Sequence, residues 1–235
     1  MGVFHFKHFD IDDHGCGMKI CSDSVLLAAW FLPPYRDALT VADIGTGSGV
    51  LALLAADIMP KAKIIAIEKD TAAAEAASRN FAASPWADRL TTIKADFADF
   101  AAVRTHKFDI VISNPPYFTN GAQATDAARA AARHQDALSY DTLLAADILM
   151  PGGHIGLVSP AEFEHDIIYR AELSRLKLRR LCHVVTSPSK QPTRLLWDFA
   201  TEDGPLTDTT LAMRDADGHY LPDYRQIVEP FYMKL

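Results

Sequence analysis

Two rhythms of apolar positions run along this chain. Short, nearly continuous apolar runs occur at 41–44, 63–67, 90–94, 108–113 and 154–159. Runs of that length read as strands buried on both faces. Between them lie Ala- and Leu-rich segments of helical length, such as 50–58 and 71–83. The alternation predicts βαβ units wound on both sides of a mostly parallel sheet, an α/β fold. After Ala161 a helical stretch leads to two further apolar runs, 182–186 and 194–200, joined by Ser187-Pro188-Ser189-Lys190-Gln191-Pro192. That turn suits an antiparallel hairpin closing one edge of the sheet. The pattern is expected to form a single domain with a lead over 1–40, a core over 41–160 and a sheet edge over 161–235.

Composition narrows the class without changing the fold. With 235 residues, 49% hydrophobic and 23% charged, the chain can bury a sizeable core. The longest apolar run, Val25 to Leu32, is far short of the roughly 18 residues that a bilayer span needs. No membrane partner is expected, and the polar start Met1-Gly2-Val3-Phe4-His5-Phe6-Lys7-His8 reads as cytoplasmic. Cys16, Cys21 and Cys182 lack the CxxC spacing of a zinc site and read as reduced thiols. His14, Cys16 and Cys21 raise a metal site, but no fourth ligand lies at a familiar spacing, so no metal is expected. The net charge is −7, yet Arg175, Lys177, Arg179, Arg180, Lys190 and Arg194 form a stretch without one acid. Such a local basic face can bind phosphates on an acidic protein, or be ordinary solvated surface.

The first strand runs into Asp43-Ile44-Gly45-Thr46-Gly47-Ser48-Gly49. Glycines there let the backbone turn sharply and approach a ligand, but the spacing is G-x-G-x-G instead of the dinucleotide G-x-G-x-x-G. Asp43 would repel a pyrophosphate and suits a cationic ligand, so S-adenosylmethionine, with its ammonium and sulfonium groups, is the natural cofactor. Glu68 ends the next strand 21 residues beyond Gly47, the separation at which an acid takes ribose hydroxyls. Asp96, after the third strand, is placed to accept a hydrogen bond from the adenine amine. Taken singly, each acid could be only a helix N-cap.

The fourth strand runs into Asn114-Pro115-Pro116-Tyr117. Residues before proline are driven from helix, and two prolines carry no N–H, so this loop offers carbonyl acceptors and almost no donors. It fits a substrate that donates hydrogens, although the tetrapeptide could also be a plain turn. The matching chemistry is methylation of a planar exocyclic amine. Asn114 Oδ1 and the Pro115 carbonyl would each accept one N–H, drawing the nitrogen towards tetrahedral geometry and aiming its lone pair. Pro116 and Tyr117 would hold the base, with Tyr117 stacked on its face or, alternatively, packed in the core.

With these motifs in place the chain resembles the Asn-Pro-Pro-Tyr amino-methyltransferases, and more narrowly the tRNA1(Val) adenine-N6 methyltransferases. Beyond the loops, the likeness runs through Phe4-His5-Phe6-Lys7-His8-Phe9, the segment 18–30, Ser84-Pro85-Trp86-Ala87-Asp88-Arg89, Ala132-Arg133-His134 and Phe231-Tyr232. The resemblance implies a seven-stranded doubly wound sheet with an antiparallel last strand and a helical lead that closes over the methionine end of the cofactor. Lys19 and Ser22 then partner the cofactor carboxylate, and Asn114 also borders the cofactor. It implies methylation of adenine-37 in a valine tRNA, with S-adenosylhomocysteine as product. RNA contacts are expected from Lys7, Arg133, His134 and the 175–194 surface, Arg179, Arg180 and Arg194 included. A monomer is expected. The same group also methylates the glutamine amide of release factors, and a ribosomal RNA amine is a further alternative; the short stretch ahead of Asp43 argues against the former.

Overall fold

The computed structural model describes residues 2–16, 19–103, 107–116 and 138–234. Two short strands come first, β1 (Val3–His5) and β2 (Asp10–Asp12), paired antiparallel. The helix α1 (Ser22–Phe31) follows. Then strands and helices alternate as β3 (Thr40–Ile44), α2 (Val50–Ile58), β4 (Lys63–Glu68), α3 (Thr71–Ala83), β5 (Leu90–Lys94), α4 (Phe97–Val103) and β6 (Phe108–Ser113). The remainder comprises α5 (Tyr140–Ala145), β7 (Leu149–Pro160), α6 (Glu164–Leu173), β8 (Lys177–Val185), β9 (Arg194–Ala200), β10 (Thr207–Ala212) and α7 (Pro222–Val228).

The main sheet has the order β10-β8-β9-β7-β6-β3-β4-β5. Strands β3 to β7 are mutually parallel, and β9 runs antiparallel to both β7 and β8. One apolar cluster, built on α1, α2 and α3, covers one face, and a second, built on α4, α5 and α6, covers the other. This is the doubly wound α/β arrangement read from the sequence. The parallel strands all end at one edge, and the winding reverses between β3 and β6, the switch point at which such sheets bind ligands. β3 leads into the glycine loop and β6 leads into Asn114, so the two motifs meet there.

Two features depart from expectation. The sheet has an eighth strand, β10, which lies parallel to β8 and takes the edge that the β8–β9 hairpin was expected to form. Its sequence, Thr207-Asp208-Thr209-Thr210-Leu211-Ala212, is exposed over its first four residues, so no apolar run marked it. The lead is also not purely helical, because the β1–β2 pair precedes α1. That pair is held by aromatic packing: Phe6 stacks on Phe9 at 4.6 Å and on Tyr232 at 6.0 Å between ring centroids. The Lys7 N–H donates to the Phe231 carbonyl, and Lys7 Nζ to that of Glu229.

Candidate active site

The glycine loop is shaped from beneath. Asp43 is fully buried, and its Oδ2 accepts hydrogen bonds from Thr46 Oγ1 at 2.5 Å and from the Ala52 N–H at 3.0 Å. One carboxylate oxygen thus joins the loop to the first turn of α2, where the helix dipole favours negative charge. Its Oδ1 is buried without a partner. Burial pushes the Asp43 carboxyl up to about 7, against the Thr46 and Ala52 hydrogen bonds, and the charge of Glu68 adds to the rise. Gly49 caps α2 at φ 93°, and a Cβ there would lie 2.5 Å from the Phe81 ring. Only glycine satisfies both the left-handed backbone and that approach.

The loop is pinned from the side by β4. The N–H groups of Gly45 and Thr46 both donate to the Ile67 carbonyl, and the Gly47 N–H donates to Glu68 Oε2 at 2.9 Å. Glu68 Oε1 accepts from the Asp70 N–H at 2.9 Å. Asn80, on α3, donates to the Ser48 carbonyl and exchanges two bonds with Asp12 of β2. One buried amide thus fastens the loop to the N-terminal strand pair.

Beside the loop opens a cavity of about 640 Å³, within the size range of small-molecule sites. Gly45, Gly47, Glu68 and Asp96 line it, together with Pro116 and Leu138. Asp96 also caps α4, its Oδ1 accepting from the Ala98 N–H at 2.8 Å and its Oδ2 lying 3.3 Å from Lys69 Nζ. Burial raises the Asp96 carboxyl, but the Ala98 N–H and Lys69 outweigh it and hold the group below the usual carboxylate range. The helix-cap reading and the ligand reading of Asp96 are therefore compatible. Cys16, read from the sequence as a reduced thiol, is part of the cavity wall, its thiol pushed up by burial and by Asp13 and Glu68.

At the end of β6, Ser113 Oγ donates to the Ile44 carbonyl at 2.7 Å and ties the two motif-bearing strands together. Asn114 is buried, and its Nδ2 donates to Ser24 Oγ at 2.9 Å and to Cys21 Sγ at 3.2 Å. Pro115 is buried and Pro116 reaches the cavity wall. Tyr117, Arg133 and His134 lie outside the described residues.

Other expected site residues are placed elsewhere. Lys19 and Ser22 are exposed and are not part of the cavity wall. Gly49 and Asp43 lie behind the loop and build it instead of touching the cavity. Arg179 and Arg180, expected to face RNA, lie by the sheet register away from the edge that bears Asn114. Arg180 pairs with Asp198 and Arg194 with Val184 and Pro160, so Arg194 is at the edge bearing Asn114 while Arg180 lies about 13 Å back along β9, at 3.3 Å per residue. Arg180 also has interior work: its Nε donates to the fully buried Asp198 at 2.7 Å, its Nη2 donates to the Phe31 carbonyl, and the guanidinium lies 4.4 Å from the Trp30 ring. Arg179 is folded against the 202–204 turn, with Nη1 donating to the Glu202 and Asp203 carbonyls. Arg194 donates from Nε to Asp23 Oδ2 at 2.8 Å.

The residues to which sequence reading gave no role in the site are Ser24, Cys21, Asn80 and Thr46, of which the first three act through hydrogen bonds across long sequence separations and Thr46 bonds Asp43 three residues away. Only Thr46, inside the glycine loop, carried a local signal.

The sheet order, the switch-point cavity and the two loops define a Rossmann-like methyltransferase. Residues 16–177 match the methyltransferase small domain. The backbone is similar to the crystal structure of a predicted O-methyltransferase from Agrobacterium tumefaciens, with a TM-score of 0.69, 22% identity and coverage of 88% of this chain and 96% of that one. The tRNA1(Val) (adenine(37)-N6)-methyltransferase of Porphyromonas gingivalis is 39% identical over 98% of this chain and 94% of its own length. The protein of that name in Shewanella baltica (strain OS195) is 40% identical over 99% of both. The chain belongs to this tRNA1(Val) adenine-N6 methyltransferase family.

Proposed function

We propose that this protein methylates the N6 amine of adenine-37 in the anticodon loop of tRNA1(Val), using S-adenosylmethionine. The observation that carries the reading is the junction of two sites. Pro116 of the amine-accepting loop lines the same cavity as Gly47, Glu68 and Asp96. When bound, the cofactor supplies an electrophilic methyl group on a sulfonium.

The chain's own residues supply the rest. Glu68 would accept the ribose hydroxyls and Asp96 the adenine amine of the cofactor. Both acids line the cavity, and the glycine loop lets a nucleoside approach the backbone. Glu68 is a carboxylate with lone pairs beyond those used by the Gly47 and Asp70 N–H groups. Asn114 and the Pro115 carbonyl would accept the two N–H bonds of the substrate amine, aiming its lone pair into the cavity. No base is required before attack, since the nitrogen loses its proton after the new N–C bond has formed. Tyr117, at the end of the same tetrapeptide, is assigned to the face of the base on sequence grounds. An anticodon-loop adenine needs less unstacking than one in a duplex.

For the RNA grip we assign Arg194 and the exposed Lys190, which belong to the catalytic edge, with Arg133 and His134. Among the described residues no helix is long and apolar enough to cross a membrane, and a cytoplasmic setting follows from the tRNA substrate. The test is Asn114→Ala. Binding of S-adenosylhomocysteine should remain within about threefold of wild type while methyl transfer falls by at least about a hundredfold. Retained turnover would remove Asn114 from the mechanism.

A further inference from the structure

We propose that Ser24, with Cys21 beside it, is a positioning residue that sets which end of the Asn114 carboxamide faces the substrate amine. The inference rests on the role given to Asn114 above. A primary amide is nearly symmetric in shape and opposite in chemistry at its two ends: one accepts hydrogen bonds and the other donates two. An amine that is to be methylated offers donors, so an Asn114 turned by 180° about its last torsion would oppose donor to donor. The strand β6 fixes the backbone of Asn114 but not that torsion.

The structure supplies what does fix it. Ser24 Oγ lies 2.9 Å and Cys21 Sγ 3.2 Å from Asn114 Nδ2, so two acceptors from one segment meet the NH2 end. Ser24 Oγ and Cys21 Sγ are themselves 3.7 Å apart, within reach of a sulfur hydrogen bond that engages one of their two protons. Ser24 is only 4% exposed, so water is a poor substitute for its hydroxyl, and a buried N–H without an acceptor is unfavourable. The start of α1 is itself held in place, because the neighbouring Asp23 accepts from Arg194 Nε at 2.8 Å. The acceptor pair is thus fastened to the beginning of β9 at the catalytic edge.

The test is a double-mutant cycle on Ser24→Ala and Asn114→Ala, read by single-turnover methyl transfer and by calorimetric binding of S-adenosylhomocysteine. Ser24→Ala is expected to slow transfer about tenfold with product affinity unchanged. In the Asn114→Ala background it should slow transfer no further, since it acts only through that amide. Wild-type transfer in Ser24→Ala, effects that multiply in the double variant, or a parallel loss of product affinity would each overturn the proposal. Wild-type transfer in Asn114→Ala alone is a different result: it overturns the catalytic role of Asn114, and the positioning role falls with it.

Discussion

Replacing Arg180 by alanine should destabilise the fold and leave RNA binding alone. Its guanidinium is the counter-charge of Asp198, which is fully buried and also accepts from Tyr35 Oη at 2.6 Å and pairs with His154 Nδ1 at 2.7 Å. Burial raises the Asp198 carboxyl, but the hydrogen bonds from His154, Tyr35 and Arg180, with the charge of Arg180, hold it below the usual range. Removing the cation leaves the carboxylate buried with only Tyr35 and His154 as partners, a change of about 3–5 kcal/mol. For a domain of this size each kcal/mol moves the melting temperature by roughly 2–4 °C, so Arg180→Ala should melt about 10 °C lower. The assay pairs a thermal melt with tRNA binding at 15 °C across a salt series. A phosphate contact removed would lower the slope of log K against log salt by about 0.7–0.9, whereas here the slope should not change. A melt within 2 °C of wild type together with a shallower salt slope would refute the interior role.

Asp43→Asn should flatten part of the pH dependence of stability. A folded-state carboxyl raised to about 7 binds its proton more tightly than the unfolded chain does. Wild-type stability should therefore fall relative to the variant as pH rises from about 4 to 7, by up to about 4 kcal/mol, and stay parallel above 7. Denaturant titrations at pH 4, 5.5, 7 and 8.5 measure this, and a constant difference would show that Asp43 titrates normally. Glu68→Ala frees the Gly47 N–H and removes the proposed ribose acceptor, and should weaken S-adenosylhomocysteine binding at least about 30-fold. Calorimetry showing affinity within twofold of wild type would take Glu68 out of the cofactor site.

The strands and helices of the core were legible because buried parallel strands read as continuous apolar runs and their crossovers as Ala- and Leu-rich helices. Gly47, Glu68, Asp96 and Pro116 line one cavity, and this was legible because each lies at or within three residues of a strand end and the parallel topology places all such ends together. Strand β10 was illegible because edge pairing is made by backbone groups, and its polar side chains carry no buried face. The basic stretch divides for a physical reason. Charge in sequence does not distinguish a solvated side chain from one folded onto carbonyls, and in β8 Arg179 lies on the 202–204 turn while Arg180 reaches the Phe31 carbonyl, both at the end away from Asn114. The acceptors around Asn114 could not be found because they come from residues about 90 positions earlier.

The choice of acceptor is tested by incubating the protein with methyl-labelled S-adenosylmethionine and, in separate reactions, total tRNA, ribosomal RNA and release factor, then identifying the labelled product by mass. The account predicts N6-methyladenosine at position 37 of tRNA1(Val), absent with Asn114→Ala. Label in release factor or ribosomal RNA, or in no acceptor although the cofactor binds, would contradict it.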